Sequence, residues 1–311
     1  MKDRPIVPAV LLVVGTLLAA KLSPHFLDVR YLLDTSTLYM EVGLAALAMT
    51  FVIVSGQIDL SVGSNLVLTA CLAAKLADAG WGVPATVLAA CAIGTALGVV
   101  NGVLVARLRL PAFLATLGTM AVYRGVAQAM LGPSSVKLPK AFTGLDQATL
   151  AGVPWPLLIF LGFAVLAGLG LHRTVYGRWI YALGTRESAS LYAGLPIERL
   201  KLSVFALSGL MAGLGAMMMD SRLGVARHDL ARGFELDAIT VVVVGGTAIT
   251  GGKGSILGTV LALFLVMLIK TAMGVANVKA EVQLTAIGAL LILAVLASQI
   301  RLPKRTASPK G

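Results

Sequence analysis

Charge is scarce in this chain: Asp, Glu, Lys and Arg make up 13% of its 311 residues, and acids are the rarer sign, 14 against 25 Lys and Arg. Soluble domains carry about a quarter of their residues as charges, so a fully water-exposed surface is excluded. Cysteine is almost absent. Cys71 and Cys91 lie inside apolar runs and match no metal or redox spacing, which argues against a disulfide framework or a zinc site and leaves two small buried side chains. The three histidines, His25, His172 and His228, fall in polar loops far apart in sequence. No H-E-x-x-H, G-x-S-x-G or G-x-G-x-x-G occurs. Gly252-Lys253 invites a phosphate-loop reading, but the motif needs Gly where Thr247 stands and Ser or Thr where Gly254 stands. The chain is therefore expected not to be an enzyme, and to bind no metal and no cofactor of its own.

What is present is apolar: 58% hydrophobic residues and a mean hydropathy of +0.92. The expectation is an all-α polytopic membrane protein, one membrane domain over residues 1–311. A crossing helix needs about 20 mostly apolar residues, and ten stretches qualify, near 6–20, 38–55, 60–77, 83–106, 110–131, 154–171, 202–219, 237–251, 255–276 and 282–299. Lys2 and Arg4 before the first of them resemble a signal peptide, but Leu18 spoils the small-x-small cleavage pattern before Ala20, so the run reads as a retained helix. Glycines four apart, Gly94, Gly98 and Gly102, then Gly209 and Gly213, then Gly254 and Gly258, allow close backbone approach between helices.

With ten spans, a cytoplasmic N-terminus puts most Lys and Arg inside, faced there by only Asp3, Asp59, Glu187 and Glu198. The positive-inside bias thus predicts both termini in the cytoplasm. Basicity here reports topology; no aromatic-interleaved basic face suggests nucleic acid. Within the spans, Arg124 is the one charge near a midplane, while Glu41, Lys75 and Lys270 lie near ends where they can snorkel outward. Buried acids that could relay protons or sodium are lacking except at Asp59, which disfavours a stand-alone secondary carrier.

Three stretches depart from plain spans. The loop 172–201 is the longest polar interval. It carries Arg173, Arg178, Arg186, Arg199 and Lys201, yet interleaves Trp179, Tyr181, Leu191 and Tyr192 at near-helical spacing, so short amphipathic helices and a docking partner are expected. Two others interrupt apolar runs with glycine and polar residues: 55–64, with Gln57, Asp59, Ser61, Gly63 and Ser64, and 245–255, with Thr247, Gly251 and Gly252. Irregular backbone at membrane depth survives only where protein or a water-filled cavity satisfies it. Each interruption reads either as a tight turn at the cytoplasmic surface or as part of a translocation path or gate.

Five ordered blocks carry a resemblance: Gly56-Gln-Ile-Asp-Leu-Ser-Val-Gly-Ser64, Leu114-Ala-Thr-Leu-Gly-Thr-Met with Tyr123-Arg-Gly125, Gly177-Arg-Trp-Ile-Tyr-Ala-Leu-Gly184, Gly233-Phe-Glu-Leu-Asp-Ala-Ile239, and Gly245-Gly-Thr through Thr259. Over residues 40–298 the chain resembles the ribose/xylose/rhamnose-type permeases of bacterial ABC importers. The resemblance implies the permease fold in the bacterial inner membrane. It also implies a second permease chain, identical or not, a cytoplasmic ATP-binding subunit that uses the ATP and Mg, and a periplasmic sugar-binding protein. The implied cargo is a monosaccharide, a pentose or deoxyhexose such as ribose, xylose or rhamnose; autoinducer-2 and a branched-chain amino acid are the alternatives, and scarce buried charge favours a neutral polyol over a zwitterion. The loop then looks like the ATPase-coupling loop, with Ser188-Ala189-Ser190 in place of the family's Glu-Ala-Ala, Glu187 one place early, and Gly194 ending a short helix. Ala189 to Gly194 would enter the partner's groove, with Arg186 and Glu187 at its rim. Gln57 replaces a glycine common in the family.

Overall fold

The computed structural model describes residues 6–22, 26, 28–144 and 148–299. The terminal cations Lys2, Arg4, Arg301, Lys304, Arg305 and Lys310, and His25, lie outside the described residues. The chain forms helices α1 (Ile6–Leu22), α2 (Val29–Ser36), α3 (Met40–Val54), α4 (Val62–Asp78), α5 (Val83–Ala106), α6 (Ala112–Leu131), α7 (Trp155–Arg173), α8 (Val175–Thr185), α9 (Glu187–Tyr192), α10 (Ile197–Leu223), α11 (Phe234–Val244), α12 (Ile256–Val275) and α13 (Ala280–Gln299). Four two-residue strands decorate it: β1 (Val136–Lys137) pairs antiparallel with β4 (Val225–Ala226), and β2 (Thr149–Leu150) with β3 (Val153–Pro154).

Most of these helices are apolar all round, so burial is decided by their place in the bundle rather than by a polar face. α3 is the axis. From Met40 to Val54 all its residues but Val42 are buried, and α7, α10, α11 and α12 pack on it. Peripheral helices turn large apolar side chains outward, Leu88 at 71% exposure, Leu166 at 63% and Leu293 at 63%, a surface that only lipid or another apolar partner solvates. Helix starts follow local chemistry. Pro84 and Pro156 open α5 and α7 at positions whose missing N–H is not needed; Thr174 Oγ1 and Ser255 Oγ accept from the amides of Gly177 and Gly258 and cap α8 and α12.

All ten expected spans contain helix, but only five segments among the described residues are long and apolar enough to cross a bilayer alone: Val29–Val54 and helices α5, α7, α10 and α12. The expected span 237–251 is corrected: α11 has 11 residues, rising about 16 Å, half of a hydrocarbon core about 30 Å thick. Gly254 likewise lies before α12 rather than in it, packed against the Thr247 and Val54 side chains, while within α12 Gly258 packs on backbone, its hypothetical Cβ falling against the carbonyl of Gly245. The outward snorkelling expected of Glu41 does not occur; it is 4% exposed and accepts from Arg222 Nε at 2.9 Å. Lys270 pairs with Asp237 at 2.5 Å. Buried acids are also less scarce than the sequence implied, since Asp220 on α10 is fully buried.

Arg124 explains why α11 starts deep. It stands twelve residues into α6, about 18 Å along the helix. Its guanidinium donates to the carbonyls of Leu230 at 2.7 Å and of His228 and Ala231 at 3.2 Å. The loop between α10 and α11 therefore dips to mid-bundle, where one cation replaces the water its carbonyls would otherwise need.

Candidate functional site

The first interruption is an extended segment that is half-buried at Gln57 and Ile58 and buried at Asp59 and Ser61. After α3 ends at Val54, Gly56 takes a positive φ of 82° and residues 57–59 run without regular structure to the start of α4. Asp59 is 2% exposed. Its Oδ1 accepts from the amide of Ser61 at 2.9 Å and the hydroxyl of Ser61 at 2.7 Å, and its Oδ2 accepts from Ser208 of α10 at 2.7 Å. Asn101 of α5 donates to Ser61 Oγ at 2.7 Å and accepts from Thr119 of α6 at 2.7 Å. Thr116, one turn nearer the start of α6, receives the amide of Leu60 at 3.1 Å, while its hydroxyl donates to the Ala112 carbonyl at 2.8 Å and lies 3.2 Å from that of Ile58. This knot of four elements satisfies the backbone that the missing helix leaves open. Asn101, Thr116, Thr119 and Ser208 are functional candidates that sequence reasoning missed; the signal available was an uncharged polar side chain inside each of three apolar stretches of helix.

Removing the hub should be costly in a graded way. In Asp59→Ala three donors lose their buried acceptor, worth about 1–3 kcal/mol each. Asp59→Asn keeps an oxygen for Ser61 and offers an amide to a rotated Ser208 hydroxyl. Detergent-purified Asp59→Ala is thus expected to melt at least about 5 °C lower than Asp59→Asn; equal melting points would show that the knot carries no stability.

Ser64 donates to the carbonyl of Ser61 at 2.8 Å. Gly63 faces α11: a Cβ there would lie 2.8 Å from Glu235 Oε2 and 3.2 Å from Phe234 Cβ. Gly63 therefore lies against the start of α11, the end of that helix away from the second interruption. Residues 245–255 instead meet the first interruption at its outer rim. The amide of Gly252 donates to the carbonyl of Val54 at 2.8 Å, and Gly251 and Gly252 hold φ of 83° and 72°. A Cβ on Gly251 would stand 2.8 Å from both the Gly184 carbonyl and Gly56 Cα, so left-handed geometry and close approach both require glycine. Thr247 is 1% exposed and its amide donates to the Val242 carbonyl at 3.2 Å.

The third partner at this junction is α8, the first half of the 172–201 loop. A Cβ on Gly184 would collide with the Val54 carbonyl and lie 2.6 Å from the amide of Gly252. Tyr181 donates to the carbonyl of Gly254 at 2.7 Å, and burial pushes its phenol up to about 12, so it stays a donor. Gly184 and His172 were given no site role from sequence, and Tyr181 was expected as one of the docking aromatics rather than as a contact to the 245–255 loop.

Beyond α8, α9 turns one face to solvent. Leu191 is 62% and Tyr192 91% exposed, and Arg186, Ser188 and Ala189 are exposed with them. Gly194 has φ of 75°; its amide donates to Leu191 and that of Leu195 to Ser190, the paired bonds of a left-handed helix cap. One expectation changes: Ser190 is 4% exposed and faces inward. Glu187 stays exposed, its carboxylate held by Lys201 at 2.7 Å. Between α9, the turn after α5 and residues 56–58 opens a cavity of about 890 Å³, lined by Gln57, Arg109, Phe113, Glu187, Leu191 and Lys201 among others.

A family model described as branched-chain amino acid transport system / permease component matches residues 31–295. Among similar proteins, the autoinducer 2 import system permease protein LsrD of Photorhabdus laumondii is 34% identical over 94% of this chain and 90% of its own. LsrD of Escherichia coli K12 is 33% identical over 96% and 92%, and LsrD of Photorhabdus luminescens 35% identical over 94% and 90%. No solved structure matches the chain. A match across most of the described bundle, joined to its apolar, multi-helix build, places the chain in the family of branched-chain amino acid transport system permease components.

Proposed function

We propose that this chain is the membrane-spanning permease subunit of an ATP-driven importer in the bacterial inner membrane, carrying a small sugar-like polyol of the autoinducer 2 type. The carrying observation is α9, a six-residue helix that offers Leu191 and Tyr192 to water while its neighbour α8 abuts both chain interruptions. Such anchors gain about 1.5–3 kcal/mol each only when a partner's groove buries them. That partner is a cytoplasmic subunit that binds ATP and Mg and hydrolyses ATP. Arg186, Ser188 and Ala189 contribute to the contact, Ser190 supports it from within, and both chain termini lie on the same side. A second permease chain completes the pathway and a periplasmic binding protein delivers the cargo. Gln57, Asp59, Ser61, Gly63, Ser64, Thr247, Gly251 and Gly252 belong to the inner end of the path.

On cargo, the ribose, xylose or rhamnose expected from the five sequence blocks yields to autoinducer 2, for which the similar permeases are named. Proteoliposomes holding the chain with its ATPase and binding protein should take up labelled autoinducer 2 in preference to ribose and leucine. Preference for ribose or for leucine would reassign the cargo. Gly194→Val tests the docking. Its Cβ meets open space, so the penalty is the left-handed backbone, roughly 1–3 kcal/mol for a β-branched residue. Co-purification of the ATPase should fall about tenfold, while membrane insertion persists; undiminished co-purification and uptake would sink the docking assignment.

A further inference from the structure

His172 closes α7 and Tyr181 sits in the middle of α8, and neither belongs to the docking face or to the polar knot. Three hydrogen bonds link them to the start of α12. The amide of Ile256 donates to His172 Nε2 at 3.3 Å. His172 Nδ1 and the Tyr181 hydroxyl are 3.3 Å apart, and that hydroxyl donates to the Gly254 carbonyl at 2.7 Å. The donor directions are self-consistent in one arrangement only. Nε2 accepts, so Nδ1 carries the hydrogen and donates a hydrogen bond to the phenol oxygen, whose own O–H donates to the Gly254 carbonyl. One turn on along α8, Gly184 rests on the Val54 carbonyl and the Gly252 amide, and Gly252 is itself bonded to Val54.

We propose that the His172–Tyr181 relay is a mechanical joint that makes α8, the 245–255 loop and the Val54–Gly56 turn move as one body, so that displacement of α8 by the ATP-hydrolysing subunit shifts both chain interruptions together. His172 and Tyr181 are positioning residues in this scheme. It rests on the docking of that subunit at α8–α9. Without the relay, α8 is held at the loop by packing alone, through buried Ile180 and Leu183 and the Gly184 contact, with no hydrogen bond to pull the loop after it. With it, the 2.7 Å bond to Gly254 transmits motion in both directions.

The test uses the assembled transporter in proteoliposomes and a reporter that needs no cargo. Thr250 is exposed at the tip of the 245–255 loop; Thr250→Cys in a Cys71→Ala/Cys91→Ala background reports loop movement as an ATP-dependent change in maleimide labelling. The relay variants are Tyr181→Phe, which removes one hydroxyl, and His172→Gln, whose side-chain oxygen can still receive the Ile256 amide. Tyr181→Phe is expected to keep the ATPase subunit bound and to shrink the ATP-dependent labelling change roughly fivefold to tenfold, the scale of one or two hydrogen bonds. His172→Gln should retain more of that change than His172→Ala. An unaltered labelling change in Tyr181→Phe, or no ATP response in the unmutated relay, overturns the joint. Loss of ATPase association in Tyr181→Phe overturns it too, because the residue would then act in docking. Failure of the ATPase to bind the unmutated chain at all would instead refute the subunit reading on which the joint rests.

Discussion

Gly184→Ala is expected to cut ATP-driven uptake by about tenfold to a hundredfold while leaving the chain inserted and its ATPase subunit bound. The added methyl would collide with the Val54 carbonyl and stand 2.6 Å from the Gly252 amide, both backbone. No flexible side chain can yield, so α8 must separate from one interruption or from both. Forcing a methyl into such a contact costs about 1–3 kcal/mol, and each 1.4 kcal/mol is tenfold in an equilibrium. Gly194→Ala is the internal control. Its Cβ meets nothing within 4 Å, so only left-handed strain is added, and its effect on uptake should be the smaller. Uptake by Gly184→Ala equal to that of the unmutated chain would show that the three-way contact is incidental to transport.

How far the sequence foretold this arrangement differs by kind of signal. Class and span positions follow from apolar length, which the bilayer dictates directly; each expected segment contains a helix, although 237–251 holds only the later part of the 11-residue α11. The two interruptions were visible because glycine clusters break an apolar run, but their depth was not. Depth depends on which side chains of other helices satisfy the open amides, and Asn101, Thr116, Thr119 and Ser208 are far from 55–61 in sequence. The same holds for Arg124: one cation among apolar residues is conspicuous, yet the carbonyls it receives lie about a hundred residues away. α8 and α9 could be foreseen as short helices, whereas the role of Tyr181 could not, since an aromatic at helical spacing reads equally as docking anchor or core. Ser190 was placed on the docking face because alignment with a motif carries no information about which way a residue in a six-residue helix points.

Gly209→Leu is expected to prevent accumulation of the folded protein, with Gly118→Leu near neutral beside it. Among the described residues, α5 and α10 share the most extensive helix contact, with glycines of each meeting the backbone of the other. A Cβ on Gly209 would fall against the Gly94 carbonyl and lie 2.9 Å from Gly98 Cα, whereas a Cβ on Gly118 meets nothing within 4 Å. Helix association in lipid has no hydrophobic drive and relies on this intimacy of backbones, so a leucine at the contact removes attraction along the whole seam rather than at one point. The damage extends inward. Ser208, the next residue on α10, supplies the 2.7 Å bond to Asp59; on the facing side the Gly94 carbonyl accepts from Asn65 of α4 at 3.1 Å. Prising α10 away from α5 therefore opens the polar knot and strands groups in hydrocarbon at about 1–3 kcal/mol each, on top of an overpacking cost of about 1–3 kcal/mol. Taken with a stability margin of about 5–15 kcal/mol for a typical fold, the sum is large enough to empty the membrane of folded chain. Quantitative immunoblotting of membranes and the melting point of detergent-purified protein measure it. Equal abundance and equal melting points for Gly209→Leu and Gly118→Leu would mean that the glycine seam does not hold α5 to α10.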